Sequence, residues 1–189
     1  MRKIILDVGA NKGQNVTNLR KLYGEDFTVY SFEPNPSCTS IFKTKWSGTP
    51  NVHLIEKAAY IFDGAQTFYL GKTKESSSLR DDKTFNMSGE SIIVDCIDFS
   101  KWIKNNLKKE DQIILYMDIE GAEYDVLDKM IEEDLLGWFN EVYMEFHQGK
   151  LRNLDPARHT KIYNKLIETY KENVYIWRLY QHQKYTRIG

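Results

Sequence analysis

Short apolar runs alternate with segments of helical periodicity along almost the whole chain, and this rhythm constrains the fold more than any other feature. It is the pattern of a parallel sheet joined by crossover helices. Ile4-Ile5-Leu6 is a buried-type strand that stops at Asp7. Gly9 to Gly13 makes a turn, and Val16, Leu19 and Leu22 then mark one helical face up to Gly24. Phe27 to Phe32 is a second strand, ended by Glu33-Pro34, and Pro36 opens a helix carrying Ile41, Phe42 and Trp46. Val52 to Ala59 reads as a third strand, Ile113 to Met117 as a fourth and Val142 to Phe146 as a fifth. Gly121 starts a helix with Val126, Leu127, Met130 and Ile131 as its stripe. Asp155-Pro156 is a cap followed by proline at the first helical position, with Ile162, Leu166, Ile167 and Tyr170 as the apolar face. Val174 to Leu179 and Tyr185 to Ile188 read as a terminal antiparallel strand pair.

The rhythm breaks over about residues 60–98. Thr67 to Leu70 and Ser91 to Asp98 read as a strand pair inserted beside the main sheet, followed by a short helix from Phe99 to Leu107. Between the two strands lie the mostly polar residues Gly71 to Glu90, with Ser76-Ser77-Ser78 among them. So long a loop in a compact domain is either a binding loop or a disordered surface segment. With no repeat and no boundary, 189 residues are expected to form one domain. Its expected class is a Rossmann-like, doubly wound, mostly parallel α/β sheet.

Lysine and arginine number 26 against 27 acidic residues, so no global field draws the chain to nucleic acid or to an anionic membrane, and neither partner is expected. No apolar run approaches the roughly 20 residues of a membrane span. Two cysteines, Cys38 and Cys96, argue against a disulfide framework and against structural zinc. Met1-Arg2-Lys3 runs straight into the first strand with no secretory signal, which makes a cytoplasmic location the expectation. Oligomeric state leaves no signal in the sequence.

In an open α/β sheet, ligands bind beyond the carboxyl ends of the strands, where the topology switches. The first such loop, Asp7-Val8-Gly9-Ala10-Asn11-Lys12-Gly13, is glycine-rich, but Asn11 stands where the pyrophosphate-cradling G-x-G-x-x-G pattern has its second glycine. Asp7 would repel a phosphate and suit a cationic head, while an ordinary strand–helix turn with Asp7 as a local cap is the plain alternative. Glu33, at the tip of the next strand, is placed to accept both hydroxyls of a ribose; a surface glutamate before a proline turn is the other use. Together the two features fit a nucleoside whose far end is not a phosphate, and S-adenosylmethionine is such a ligand.

Asp7-Val-Gly-Ala-Asn11-Lys-Gly13-Gln14, Phe32-Glu33-Pro34-Asn35-Pro36, Lys57-Ala58-Ala59 and Met117-Asp118-Ile-Glu120-Gly121-Ala-Glu123 resemble the successive motifs of the FkbM family, in order and spacing from residue 4 to about 147. These are S-adenosylmethionine-dependent methyltransferases, mostly O-methyltransferases of sugars and natural products. The resemblance implies that Asp7, Gly9 and Asn11 surround the methionine moiety, with Ala10, Gly13 and Gln14 in the same loop. It implies that Glu33, beside Pro34, holds the ribose and that Ala58 lies near the adenine. Asp118, with Glu120, would stand at the methyl-donor end, and the acceptor would be a hydroxyl of a glycan or small molecule. The chain begins almost at its first strand, without the helix that often covers the cofactor in such enzymes. Either another element closes the site or the chain is a piece of a longer polypeptide.

Methyl transfer to a hydroxyl needs collinear positioning and a route for the proton. Period-two geometry puts Glu145 and His147 on one side of their strand, near Asp118. Three roles are open. His147 is the general base, with Asp118 and Glu145 beside it, or Asp118, Glu145 and His147 bind a divalent ion of the magnesium or manganese kind, or the three only hydrogen-bond one another. The base is preferred to the metal. His53 is expected in a strand, and His159 and His182 in solvent. Gln148 to Asn153 either lines the acceptor pocket or is a solvated connection. Trp177, Tyr180 and Tyr185 either stack on a sugar or pack at the sheet edge, and Lys108-Lys109-Glu110-Asp111 is a solvated turn. Transfer to a nitrogen or to nucleic acid is disfavoured by the absence of an Asn/Asp-Pro-Pro-Tyr type motif. A nicotinamide-dependent oxidoreductase is disfavoured by Asn11, and a cofactor-binding module without catalysis is the third alternative.

Overall fold

The computed structural model describes residues 1–177 and 186–187. Tyr180, Tyr185 and His182, and the side chain of Trp177, lie outside the described residues. Six parallel strands form the main sheet: β1 (Lys3–Val8), β2 (Thr28–Phe32), β3 (Val52–Ile55), β7 (Gln112–Met117), β8 (Glu141–Glu145) and β9 (Val174–Trp177). The order is β10-β9-β8-β7-β1-β2-β3, with β10 (Thr186–Arg187) antiparallel on the β9 edge. The topology therefore reverses between β1 and β7, which is where a doubly wound sheet opens its ligand crevice.

Strand alternation decides the two faces. Ile5, Val29 and Ile114 pack under α1 (Gln14–Tyr23) and α2 (Pro36–Trp46) through Val16, Leu19 and Phe42. Ile4, Leu6, Ile113, Leu115 and Met117 face α3 (Phe99–Asn106), α4 (Glu123–Glu132) and α5 (Pro156–Tyr170), which contribute Ile103, Leu127, Met130, Ile162 and Leu166. Leu22 and Ile41, expected on the helix faces, are instead exposed. Asp155 caps α5 by accepting the Ala157 N–H at 2.9 Å, with Pro156 next, as its sequence requires.

Five expectations are corrected. Val52 to Ala59 is not one strand: β3 ends at Ile55, Lys57 N–H turns back to the Ile55 carbonyl at 2.8 Å, and β4 (Ala58–Tyr60) joins another sheet. That second sheet has three strands, β4, β6 (Met87–Asp98) and β5 (Gly64–Gly71), where a pair was expected; β4 runs parallel to β6 and β5 antiparallel to it. The 71–90 stretch is folded onto the domain, with bridges joining Ser78 to Tyr69 and Lys83 to Leu151, and with all of Ser76, Ser77, Ser78, Asp82 and Lys83 buried. Asp111 is not solvated but buried under Arg2, 2.5 Å away, which holds its carboxyl at about 2. His159 is half-buried and bonded to the Tyr124 hydroxyl at 2.9 Å, while His53 does lie in a strand, stacked on Tyr30. Among the described residues no helix is long and apolar enough to cross a membrane.

Candidate functional site

Register brings Val8, Phe32 and Met117 side by side, so the next residues, Gly9, Glu33 and Asp118, emerge together at the carboxyl edge; Glu145 closes β8 beside them. Gly9 makes this convergence possible. Its φ is +90°, and a Cβ there would stand 1.9 Å from the Asp118 carbonyl oxygen. The loop is tied down by Gly9 and Ala10 N–H groups that both donate to the Phe32 carbonyl at 3.0 Å. Asp118 N–H donates to the Val8 carbonyl at 2.9 Å.

A cavity of about 240 Å³ opens over these tips. Gly9, Asn11, Gln14, Glu33 and Pro34 line one end of it. Ala58 lies on its wall, and Asp118, Glu120 and Glu145 line the other end. Four expected residues do not reach it. Asp7 is wholly buried beneath the loop, accepting the Ser31 hydroxyl at 3.0 Å, with its carboxyl pushed up to about 7 by burial. Ala10 sits in the apolar cluster beneath α1. Gly13 is a packing glycine: Trp46 and Phe42 occupy the space its Cβ would need, and its carbonyl accepts the Trp46 indole N–H at 3.0 Å. His147 is wholly buried behind the carboxylates.

Glu33 is buried and takes one backbone N–H on each oxygen, from Asn11 and from Asn35, both at 2.8 Å. Each oxygen keeps a further lone pair for a hydroxyl donor. Burial raises its carboxyl to about 7 against the pull of those two N–H groups. The far wall comes from the insertion: Phe68, Leu79, Ser77, Lys74 and Glu75. Lys12 on the glycine loop pairs with Glu75 at 2.7 Å and ties the two together. The serine run marked this loop in the sequence; nothing local marked Phe68 or Leu79.

At the other end the charges crowd. His147 Nε2 lies 3.3 Å from Glu120 Oε1, 3.4 Å from Glu145 Oε1 and 3.6 Å from Asp118 Oδ1, and it has no hydrogen-bond partner. Glu123, wholly buried and not singled out in the sequence except within its motif, accepts the His147 backbone N–H at 2.9 Å and faces Nδ1 at 3.2 Å. Its second oxygen takes the Gly121 N–H at 2.8 Å. Buried Lys83 sits 2.5 Å from Glu120 Oε2, and Lys150 3.2 Å from the same oxygen. Burial opposes the charge on His147, but Glu123, Glu120 and Glu145 outweigh it and raise its pKa well above the ordinary range. Burial, then Glu145, push Asp118 up, whereas Glu120 is held at about 2 by His147 and Lys83 despite its burial. Donor atoms of Asp118, Glu120 and His147 lie within 4.8 Å of one another, a set able to hold a cation. Residues 148–153 do not line the cavity; they pair with the insertion at Lys83 and Thr84 instead.

Solved structures share this fold. One of them, the crystal structure of methyltransferase FkbM from Methylobacillus flagellatus KT, aligns over 93% of this chain with a TM-score of 0.52 at 13% sequence identity. This chain spans 39% of that longer protein. No curated protein matches. The family model described as methyltransferase FkbM domain matches residues 7–175, and the chain belongs to the FkbM methyltransferase family.

Proposed function

We propose that this domain binds S-adenosylmethionine and methylates a hydroxyl of a small-molecule acceptor, with a sugar or glycosylated compound as the class the family resemblance favours. The observation that carries this reading is that Glu33 and Asp118, on strand tips on either side of β1, line one cavity, with Gly9 packed between the Phe32 and Asp118 carbonyls. When bound, S-adenosylmethionine supplies a methyl carbon made electrophilic by its sulfonium. Glu33 would accept ribose hydroxyls on its unused lone pairs, and Phe32, Ala58, Phe68 and Leu79 offer an apolar wall to a purine. Asn11 and Gln14 would meet the amino acid end.

The acidic end gives an acceptor its proton route. Asp118 and Glu145 line the cavity, and Asp118 is raised by burial and by Glu145, a shift that suits a general base near neutral pH. His147 stands behind both, so it orients and compensates these carboxylates rather than touching the acceptor. The earlier preference for His147 as the base gives way, in this reading, to Asp118 or Glu145. Two buried, unpaired cysteines and the balanced charge agree with a cytoplasmic protein acting on free small molecules.

Calorimetric titration tests the assignment. S-adenosylhomocysteine is expected to bind and NAD not to; tight NAD binding without a response to the former overturns the reading. Glu33→Gln should weaken S-adenosylhomocysteine binding by about 1.5–3 kcal/mol, since the amide loses acceptor capacity toward the ribose. A screen of sugar acceptors with labelled donor then defines the substrate.

A further inference from the structure

We propose that Asp118, Glu120 and His147 bind one divalent cation of the manganese or zinc kind, with Glu145 beside it and its remaining coordination positions open to the cavity. His147 is completely buried, and its Nε2 aims into the carboxylates without a hydrogen-bond partner. A buried ring nitrogen left unsatisfied demands an explanation. One N–H can address only one oxygen, yet three oxygens surround Nε2 at 3.3, 3.4 and 3.6 Å. All three are longer than the roughly 2.7–2.9 Å of a charge-assisted hydrogen bond. From Nε2 they match instead the spacing of neighbouring ligand atoms around a shared ion, where bonds of about 2.1 Å put neighbours about 3.0 Å apart in an octahedron and about 3.4 Å apart in a tetrahedron. The ligand atoms of Asp118, Glu120 and His147 all lie within 4.8 Å of one another.

The supporting residues fit the same assignment. Glu123 holds His147 from the opposite side, through Nδ1 at 3.2 Å and the backbone N–H at 2.9 Å. A carboxylate behind a histidine is how metal-binding imidazoles are commonly fixed in one tautomer and aimed. Lys83 and Lys150 neutralise Glu120, Lys83 at Oε2 and Lys150 across both oxygens, and leave Asp118 and Glu145 to balance the ion. Two carboxylates with one imidazole suit manganese, and zinc accepts the same set. Asp118 and Glu120 line the cavity, so the ion would face an acceptor there and lower the pKa of a bound hydroxyl, with Asp118 then a ligand and Glu145 left as the base. That last role rests on the methyl-transfer reading; the site itself does not.

The test is binding of manganese(II) chloride to the metal-stripped chain, followed by the loss of the free-ion paramagnetic resonance signal and by calorimetry. One ion per chain is expected, with a rise in melting temperature that grows with metal concentration. Asp118→Asn and Glu120→Gln should each weaken the ion at least tenfold, and Asp118→Asn is the safer variant because Asp118 carries no salt bridge to a lysine. Zinc chloride is the second probe. No stoichiometric binding of either ion to the wild-type chain, or binding unchanged in both variants, overturns the site and leaves His147 an imidazolium held by carboxylates. S-adenosylhomocysteine titrated into the same sample separates the two readings, since either ligand can fail while the other binds.

Discussion

The two ends of the cavity use the same device, an acidic residue at or beneath a parallel strand tip, but only the second holds one of its carboxyls charged against burial. At the β1–β2 end, the donors facing Asp7 and Glu33 are neutral: the Ser31 hydroxyl and two backbone N–H groups. Burial wins there, and both carboxyls are pushed up to about 7. At the β7–β8 end burial and Glu145 push Asp118 up as well, but Glu120, also largely buried, is held at about 2 by His147 and Lys83. Burial sets a carboxyl's default, and a cationic neighbour within hydrogen-bond reach reverses it. One end therefore holds its carboxyls with neutral donors alone, and the other sets cations against one of them.

Gly9 separates the two ends, and filling its space is the hardest way to break the comparison. Gly9→Ala places a carbon 1.9 Å from the Asp118 carbonyl at φ +90°. The β1 loop and the β7 tip must then part, at a cost of about 4 kcal/mol or more, read from chemical denaturation. Gly48→Ala is the control: φ is +75° but nothing lies within 4 Å, so only the backbone penalty of about 1 kcal/mol remains. Equal costs at the two positions would show that the convergence is not what Gly9 is for.

How far all this could be read from the chain follows the range of the forces involved. Gly9, Glu33 and Asp118 were legible because each follows an apolar run, and a strand's end is a local signal. The cap at Asp155-Pro156 was legible for the same reason. The switch at Glu56-Lys57 was not. Val52 to Ala59 reads as one strand broken only by Glu56-Lys57, and the sheet that Ala58 joins is set by its pairing with Cys96, far along the chain. Lys83 hid in a polar stretch; its burial depends on Glu120, in the loop after β7. Asp7 shows the converse error. The strand runs on to Val8, so Asp7 lies inside β1 rather than at its tip, and its side chain sits under the cavity floor rather than in it.

The second way to sharpen the contrast is through pH. Asp7 rises from 3.8 unfolded to about 7 folded, so the folded state keeps a proton that the unfolded chain gives up. Its stabilising share is complete below about pH 4 and is lost as pH climbs through about 7. Asp7→Asn, which still accepts the Ser31 hydroxyl, should lack this slope and gain on the order of 2–3 kcal/mol over wild type at pH 8, shrinking toward pH 4. Glu120 has the opposite sign: lowered to about 2, it stabilises above its unfolded pKa and fades as pH falls. Glu120→Gln should thus lose on the order of 2 kcal/mol at pH 7 and approach wild type in acid. Urea melts at several pH values read both slopes. Parallel profiles for wild type and Asp7→Asn would mean that the β1 tip is not the low-polarity end described above.

The smallest effect concerns what joins the neutral end to its far wall. Lys12 and Glu75 pair at 2.7 Å with their side chains 36% and 49% exposed. Water and salt screen such a pair, and the two long side chains lose freedom in making it, so a double-mutant cycle on Lys12→Ala and Glu75→Ala should give a coupling of only about 0.2–1 kcal/mol. It should shrink further in high salt. The insertion is otherwise held by buried contacts: Phe68, Leu79, Val94 and Cys96 pack with Ala58 and Ala122, and the Ser78 hydroxyl donates to the Glu120 carbonyl at 2.7 Å. A coupling well above that range would mean that the wall is latched across the glycine loop by charge. The neutral end would then be electrostatically closed after all, and the distinction between the two ends would narrow.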